Sequence, residues 1–91
     1  MNMLQAEWIG KRVRVAKASN KSLEGITGTI INETKHLVQI KTDAGEAKSI
    51  PKRGTQFAFE VNGQEVLIDG TKAEVSPEER IKLRETNGRN M

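Results

Sequence analysis

Residues 12–17 (RVRVAK) alternate between apolar and charged positions, with Val13 and Val15 on one face and Arg12, Arg14 and Ala16 on the other. A period of two marks a half-buried strand, and it turns the arginines toward solvent. The polar stretch 19–24 (SNKSLE) predicts a loop, and the β-branched run 25–33 (GITGTIINE) a strand bent at Gly25 and Gly28. ETKH turns the chain at 33–36, LVQIKT reads as the next strand, and DAG as a turn at 43–45. EAKSI follows and ends at Pro51, because proline has no N–H to give to a ladder. After a PKRG corner, Phe57, Phe59 and Val61 share one strand face. Asn62-Gly63 is a two-residue hairpin signal, and EVLID returns to Asp69-Gly70.

Six short strands thus occupy residues 12–69, with a turn every few residues. Full closure removes exposed strand edges, so the pattern predicts an all-β fold. It is a small SH3-like or Sm-like barrel of about six bent antiparallel strands.

The period changes in the tail. Ser76, Pro77 and Glu79 match an N-cap serine, a proline at the first helical position and a capping-box glutamate, so a helix is expected over about 77–87. Ile81, with Leu83 or Arg84, is its docking side, and Asn87-Gly88 ends it. Residues 1–8 predict a short helical turn, giving one domain over 1–91 with the barrel at about 9–70.

Composition narrows the chemistry. The chain has 91 residues, 35% of them hydrophobic, and its only rings are Trp8, Phe57 and Phe59, so the core is small and largely aliphatic. With no cysteine there are no disulfides, thiol nucleophiles or cysteine zinc sites. No apolar run is long enough to span a membrane and no leader-type apolar region opens the chain, so a soluble, cytoplasmic protein is expected.

The net charge is only +3, but it is unevenly spread. Residues 1–22 carry Lys11, Arg12, Arg14, Lys17 and Lys21 against Glu7. Residues 35–53 carry Lys35, Lys41, Lys48, Lys52 and Arg53 against Asp43 and Glu46. The segments 23–34 and 54–70 hold acids alone: Glu24, Glu33, Glu60, Glu65 and Asp69. Two basic segments side by side would make a face suited to a phosphate backbone.

No catalytic or metal-binding constellation accompanies that face. His36 is the sole histidine and falls in a turn, where it reads as an exposed residue. The carboxylates lack metal-ligand spacing, and Gly25-x-x-Gly28 is too short for a phosphate-cradling loop. Arg80, Lys82, Arg84 and Glu85 read as a solvated helix face. Two of the three rings lie on an apolar strand face, so base stacking is not the expected mode. Recognition of backbone and RNA shape is.

The blocks EWIGKRVRV, SNKSLEGITGTIINET, IPKRG, FAF, VLIDG and SPEERI, in this order from about Glu7 to Ile81, resemble the archaeal and eukaryotic ribonuclease P protein component 1 family. The resemblance implies an Sm-like barrel and a non-catalytic, RNA-binding subunit of ribonuclease P, the endonuclease that removes the 5′ leader of precursor tRNA. It further implies that the RNA subunit holds the magnesium ions, so that this chain binds no cofactor itself. The implied partners are ribonuclease P RNA, a zinc-ribbon protein subunit, other ribonuclease P protein subunits and, indirectly, precursor tRNA.

Joined to the charge map, this assigns an RNA face to Lys11, Arg12, Arg14, Lys17, Asn20, Lys21, Lys48, Lys52 and Arg53. Trp8, Ile9 and Ile81 are the expected protein-partner contacts, with no catalytic residue and no metal ligand. An SH3-like ribosomal protein bound to rRNA, or a barrel for protein interaction, are the alternatives open at this point.

Overall fold

The computed structural model describes residues 6–80. Six strands form one antiparallel sheet: β1 (Arg12–Ala18), β2 (Thr27–Glu33), β3 (Leu37–Thr42), β4 (Ala47–Pro51), β5 (Thr55–Val61) and β6 (Gln64–Asp69). Their spatial order is β4-β3-β2-β1-β5-β6. All six sequence-predicted strands are present. β2 begins two residues later than expected, because Gly25 takes a φ of +89° in the turn before it. Asn62 and Gly63 both have positive φ, 52° and 78°, as the two-residue hairpin between β5 and β6 requires.

Laid flat, this order would put β4 and β5 about four strand spacings, roughly 19 Å, apart. Instead Val38, Ile40 and Ile50 belong to the same core cluster as Val13, Val15, Phe57 and Phe59, so the sheet curls on itself into a small barrel. Two bulges drive the curl, one in β1 between Val15 and Lys17 and one in β2 between Ile30 and Asn32. At Gly28 the strands come so close that an added Cβ would lie 2.1 Å from the Lys41 carbonyl oxygen. Only glycine fits that crossing.

Each bulge also reverses the in-out parity beyond it. In β1 it sends Lys17 outward, opposite Gln56, and Ala18 inward, opposite Thr55. In β2 it sends Glu33, rather than Asn32, into the interior opposite Val38. The tail starts as foreseen: Ser76 Oγ accepts from the Glu79 N–H at 3.2 Å, and the Arg80 N–H bonds the Ser76 carbonyl at 2.9 Å. The turn at 77–80 is helical; the rest of the expected helix, and all but the last residues of the expected N-terminal turn, lie outside the described residues.

Candidate nucleic-acid interface

β1 carries its basic residues to two different places. Arg12 and Arg14 project from the outer face of the sheet, as their alternation predicts, but neither is a free cation. Arg12 grips Asp43 through two nitrogens, at 2.7 and 3.2 Å, and Arg14 Nη2 lies 2.8 Å from Glu65 Oε2. The hydrogen bond from Arg12 holds the Asp43 carboxyl below its ordinary range. Lys41, which the sequence reading left out of the site, stands on this face across Thr29 from Arg12. A groove of about 440 Å³ runs beside them, lined by Arg12, Arg14 and Thr27 but also by Glu60 and Glu65. Acids offset its cations.

The far end of β1 is different. Ala18 pairs with Thr55, and the Ser19 N–H bonds the Gly54 carbonyl at 3.2 Å, so the loop after β1 lies against the 52–54 corner. The segments that carry Lys17, Asn20 and Lys21 and that carry Arg53 therefore adjoin, although Lys21 and Arg53 are 32 positions apart in the sequence. Asn20 Oδ1 accepts from the Ser22 N–H at 3.1 Å and caps a 3-10 turn over Lys21–Leu23, which presents Lys21 to solvent. Lys21 has a loose contact with Glu24, at 3.4 Å. Glu24 is committed elsewhere: the Ala18 N–H, ahead of Lys21, keeps its carboxyl below the usual range. The Gly54 N–H donates to Thr71 Oγ1 at 2.9 Å, which sets the exposed Lys72 beside the same corner.

The corner also touches the β2–β3 turn, because the Lys52 N–H bonds the His36 carbonyl at 2.8 Å. His36 is exposed, as expected of a turn residue, yet it has a partner: its Nδ1 lies 2.9 Å from Glu74 Oε2. Arg53 Nε donates to the other oxygen of Glu74 at 3.0 Å.

Three assignments are corrected by burial. Lys52 is not on the surface: its side chain is wholly buried, with Nζ 2.8 Å from Glu33 Oε2 and 3.1 Å from the Val75 carbonyl. Trp8 is likewise fully buried, its ring packed on Phe57 and Phe59 at 5.9 and 4.9 Å between centroids, so it is core rather than partner surface. Arg80, read as part of a solvated helix face, is fully buried. Its guanidinium bonds Glu33 Oε1 at 2.6 Å and Oε2 at 2.9 Å, and its carbon lies 4.2 Å from the Trp8 ring centre. Of the other expected partner contacts, Ile9 is exposed and Ile81 lies outside the described residues. Lys11 is exposed at the opposite end of β1, and Lys48 is exposed on the sheet-edge strand β4, so neither joins the corner.

Sequence reasoning counted Lys41 in the second basic segment but did not assign it to the site, and it missed Lys72 as a member of the basic surface and Glu74 as a ligand of Arg53. Lys41 had a signal, since it alternates with Ile40 in β3; the other two depend on how the turn after β6 folds back. Among the described residues no three His, Asp or Glu side chains converge as a metal-holding group, and no helix is long and apolar enough to cross a membrane.

The family model for Ribonuclease P/MRP, subunit p29, matches residues 1–83. Ribonuclease P protein component 1 of Methanocaldococcus jannaschii is 37% identical over 81 residues, which cover 89% of this chain and 85% of the relative. The protein of the same name from Methanothermobacter thermautotrophicus is 37% identical over 82 residues, 89% of this chain and 88% of the relative. Among solved structures, that of Mth11, a homologue of human RNase P protein Rpp29, superposes with a TM-score of 0.61 at 36% identity, covering 84% of this chain and 99% of that one.

Proposed function

The chain belongs to the ribonuclease P/MRP subunit p29 family, and from that footing we propose that it acts as an RNA-binding, non-catalytic subunit of the ribonuclease P holoenzyme. As a protein component of this endoribonuclease, it works in association with ribonuclease P RNA and other subunits. The finer reading concerns how. The RNA is taken to hold magnesium and cleave the precursor tRNA, while the protein lowers phosphate repulsion so that RNA helices pack together.

The observation that carries this is the corner where the segment of Lys17, Asn20 and Lys21 lies against that of Arg53, fixed by the 3.2 Å bond from the Ser19 N–H to the Gly54 carbonyl. Lys17 has no ion pair among the described residues, and the Lys21 side chain is 83% exposed. Lys17, without an ion pair among the described residues, and Lys21, held only loosely by Glu24 at 3.4 Å, can displace condensed counterions from a phosphate backbone, and that release drives binding. Arg12 and Arg14 serve as a second, weaker contact, because a phosphate must first displace Asp43 or Glu65. Such exposed pairs are worth only about 0–1 kcal/mol, so exchange is affordable. Ile9, beside the buried Trp8, remains the proposed contact for a zinc-ribbon subunit.

Binding of ribonuclease P RNA over a salt series tests the corner. Charge reversal at Lys17 and Lys21 together should lower affinity and flatten the log-log salt slope by about 0.7–0.9 per lost phosphate contact. The same variant should give less precursor-tRNA cleavage at low magnesium in a reconstituted holoenzyme. Wild-type affinity and slope in the variant would remove the corner from the interface.

A further inference from the structure

Arg53 and His36 together build an anion cradle, and its occupant in this structure is the chain's own Glu74. Both carboxylate oxygens are used. Arg53 Nε and Nη2 each lie 3.0 Å from Oε1, and His36 Nδ1 lies 2.9 Å from Oε2. A carboxylate only accepts, so Nδ1 carries the proton and the imidazole acts as a donor, like the guanidinium. Two donors converging on two oxygens of one anion is the arrangement that also receives a phosphate. His36 and Arg53 hold the Glu74 carboxyl below its usual range, the hydrogen bond from His36 most of all.

Exposure separates the cradle from its occupant. The side chains of Arg53 and His36 are 76% and 64% exposed, that of Glu74 only 15%. An incoming phosphate therefore reaches the donors from solvent, while Glu74 approaches from the protein side. Its position there is fixed by the segment that follows. The Val75 carbonyl accepts from buried Lys52 at 3.1 Å, and Arg80, one helical turn on, is anchored to Glu33.

We propose that Glu74 is a built-in phosphate mimic that occupies an RNA-phosphate site formed by Arg53 and His36, and that an RNA phosphate arriving from solvent competes with it for those two donors. This rests on the RNA-binding reading above and adds to it a contact for which the protein's own carboxylate competes.

The test is binding of ribonuclease P RNA by the full chain across a salt series, after thermal melts have established that each variant is folded. Glu74→Gln removes the charge and keeps the shape. It should bind several-fold more tightly at low salt, with a slope steeper by about 0.7–0.9, one added phosphate contact. Adding Arg53→Ala to Glu74→Gln should abolish that gain, whereas Arg53→Ala alone should change the slope by much less than one contact. If Glu74→Gln does not fold, Glu74→Asp, which withdraws the carboxylate by one methylene, carries the test with the same sign. Unchanged or weakened binding in the folded Glu74 variant, beside salt-dependent binding by the wild type, overturns the phosphate-mimic role of Glu74 and leaves the RNA reading standing. A wild-type chain with no salt-dependent affinity for the RNA sinks both.

Discussion

Arg80 and Glu33, 47 positions apart, form a two-pronged ion pair of 2.6 and 2.9 Å in which neither side chain is exposed. Lys52 completes the cluster on the Glu33 side, and the guanidinium lies over the Trp8 ring. One buried carboxylate thus serves two cations, and those cations also bond the Ala6 and Val75 carbonyls. The cluster joins both ends of the described chain to the β2 bulge.

Breaking it from the carboxylate side strands buried charge. Glu33→Gln leaves two cations without their counter-charge, whereas Arg80→Met leaves Glu33 paired with Lys52 but without the guanidinium fork, and should cost less. Removing the counter-charge of a buried pair costs about 3–5 kcal/mol. In a domain of this size that lowers the thermal midpoint by at least about 12 °C. Arg80→Lys should rescue little, because a single ammonium cannot span both oxygens as the guanidinium fork does. Circular-dichroism melts check all three.

Much of the fold was legible because it depends on local pattern: alternation in β1, the Asn62-Gly63 hairpin, the proline that ends β4 and the Ser76 cap. What escaped depends on bulges. Strict alternation from Ile30 puts Asn32 inside and Glu33 outside, and only the register slip between Ile30 and Asn32 reverses this. With Glu33 misplaced outward, Lys52 and Arg80 had no visible reason to be buried and read as surface cations. The candidate site was legible in its composition but not in its grouping. The segments of Lys17, Lys21 and Arg53 adjoin because β1 pairs with β5, four strands later in the chain, which no spacing in the sequence reveals.

The strand crossing at Gly28 separates two kinds of glycine. Gly28→Ala puts a methyl against the Lys41 carbonyl, with Ile40 Cγ2 2.9 Å away, and backbone on both strands has to move. A loss of about 1–3 kcal/mol is expected, as for other overpacked sites. At Gly25 nothing lies within 4 Å, so Gly25→Ala costs only the strain of its φ of +89°, about 1 kcal/mol. Urea titration of the two variants orders them; an equal loss would contradict the close crossing.

Acid should weaken the protein through three carboxylates held below their ordinary range. Asp43 is held by Arg12, Glu74 by His36 and then Arg53, and Glu24 first by the Ala18 N–H. Between its folded and unfolded pKa the unfolded chain binds more protons, so stability there falls as pH falls. Their contribution is complete above the unfolded carboxyl range near about 4 and drains away below it. Melting midpoints should be level from about pH 7 to 5 and fall toward pH 3. Glu24→Gln should melt lower than the wild type at neutral pH and lose less on acidification.

Lys17 and Lys52 should part company when stability and RNA binding are measured on the same samples. Lys52→Met removes the ammonium that bonds Glu33 and the Val75 carbonyl, so it should melt far below the wild type. Burial already disfavours the charge on Lys52, lowering its pKa despite the attraction of Glu33, so the amine is held by the protein and not offered to RNA. Corrected for the folded fraction, its RNA affinity and salt slope should match the wild type. Lys17→Gln, on the outward side of the β1 bulge, should melt within about 0.5 kcal/mol of the wild type, as exposed sites do. Its salt slope should nonetheless fall by about 0.7–0.9, one phosphate contact. A flattened slope in folded Lys52→Met would put that lysine on the RNA after all.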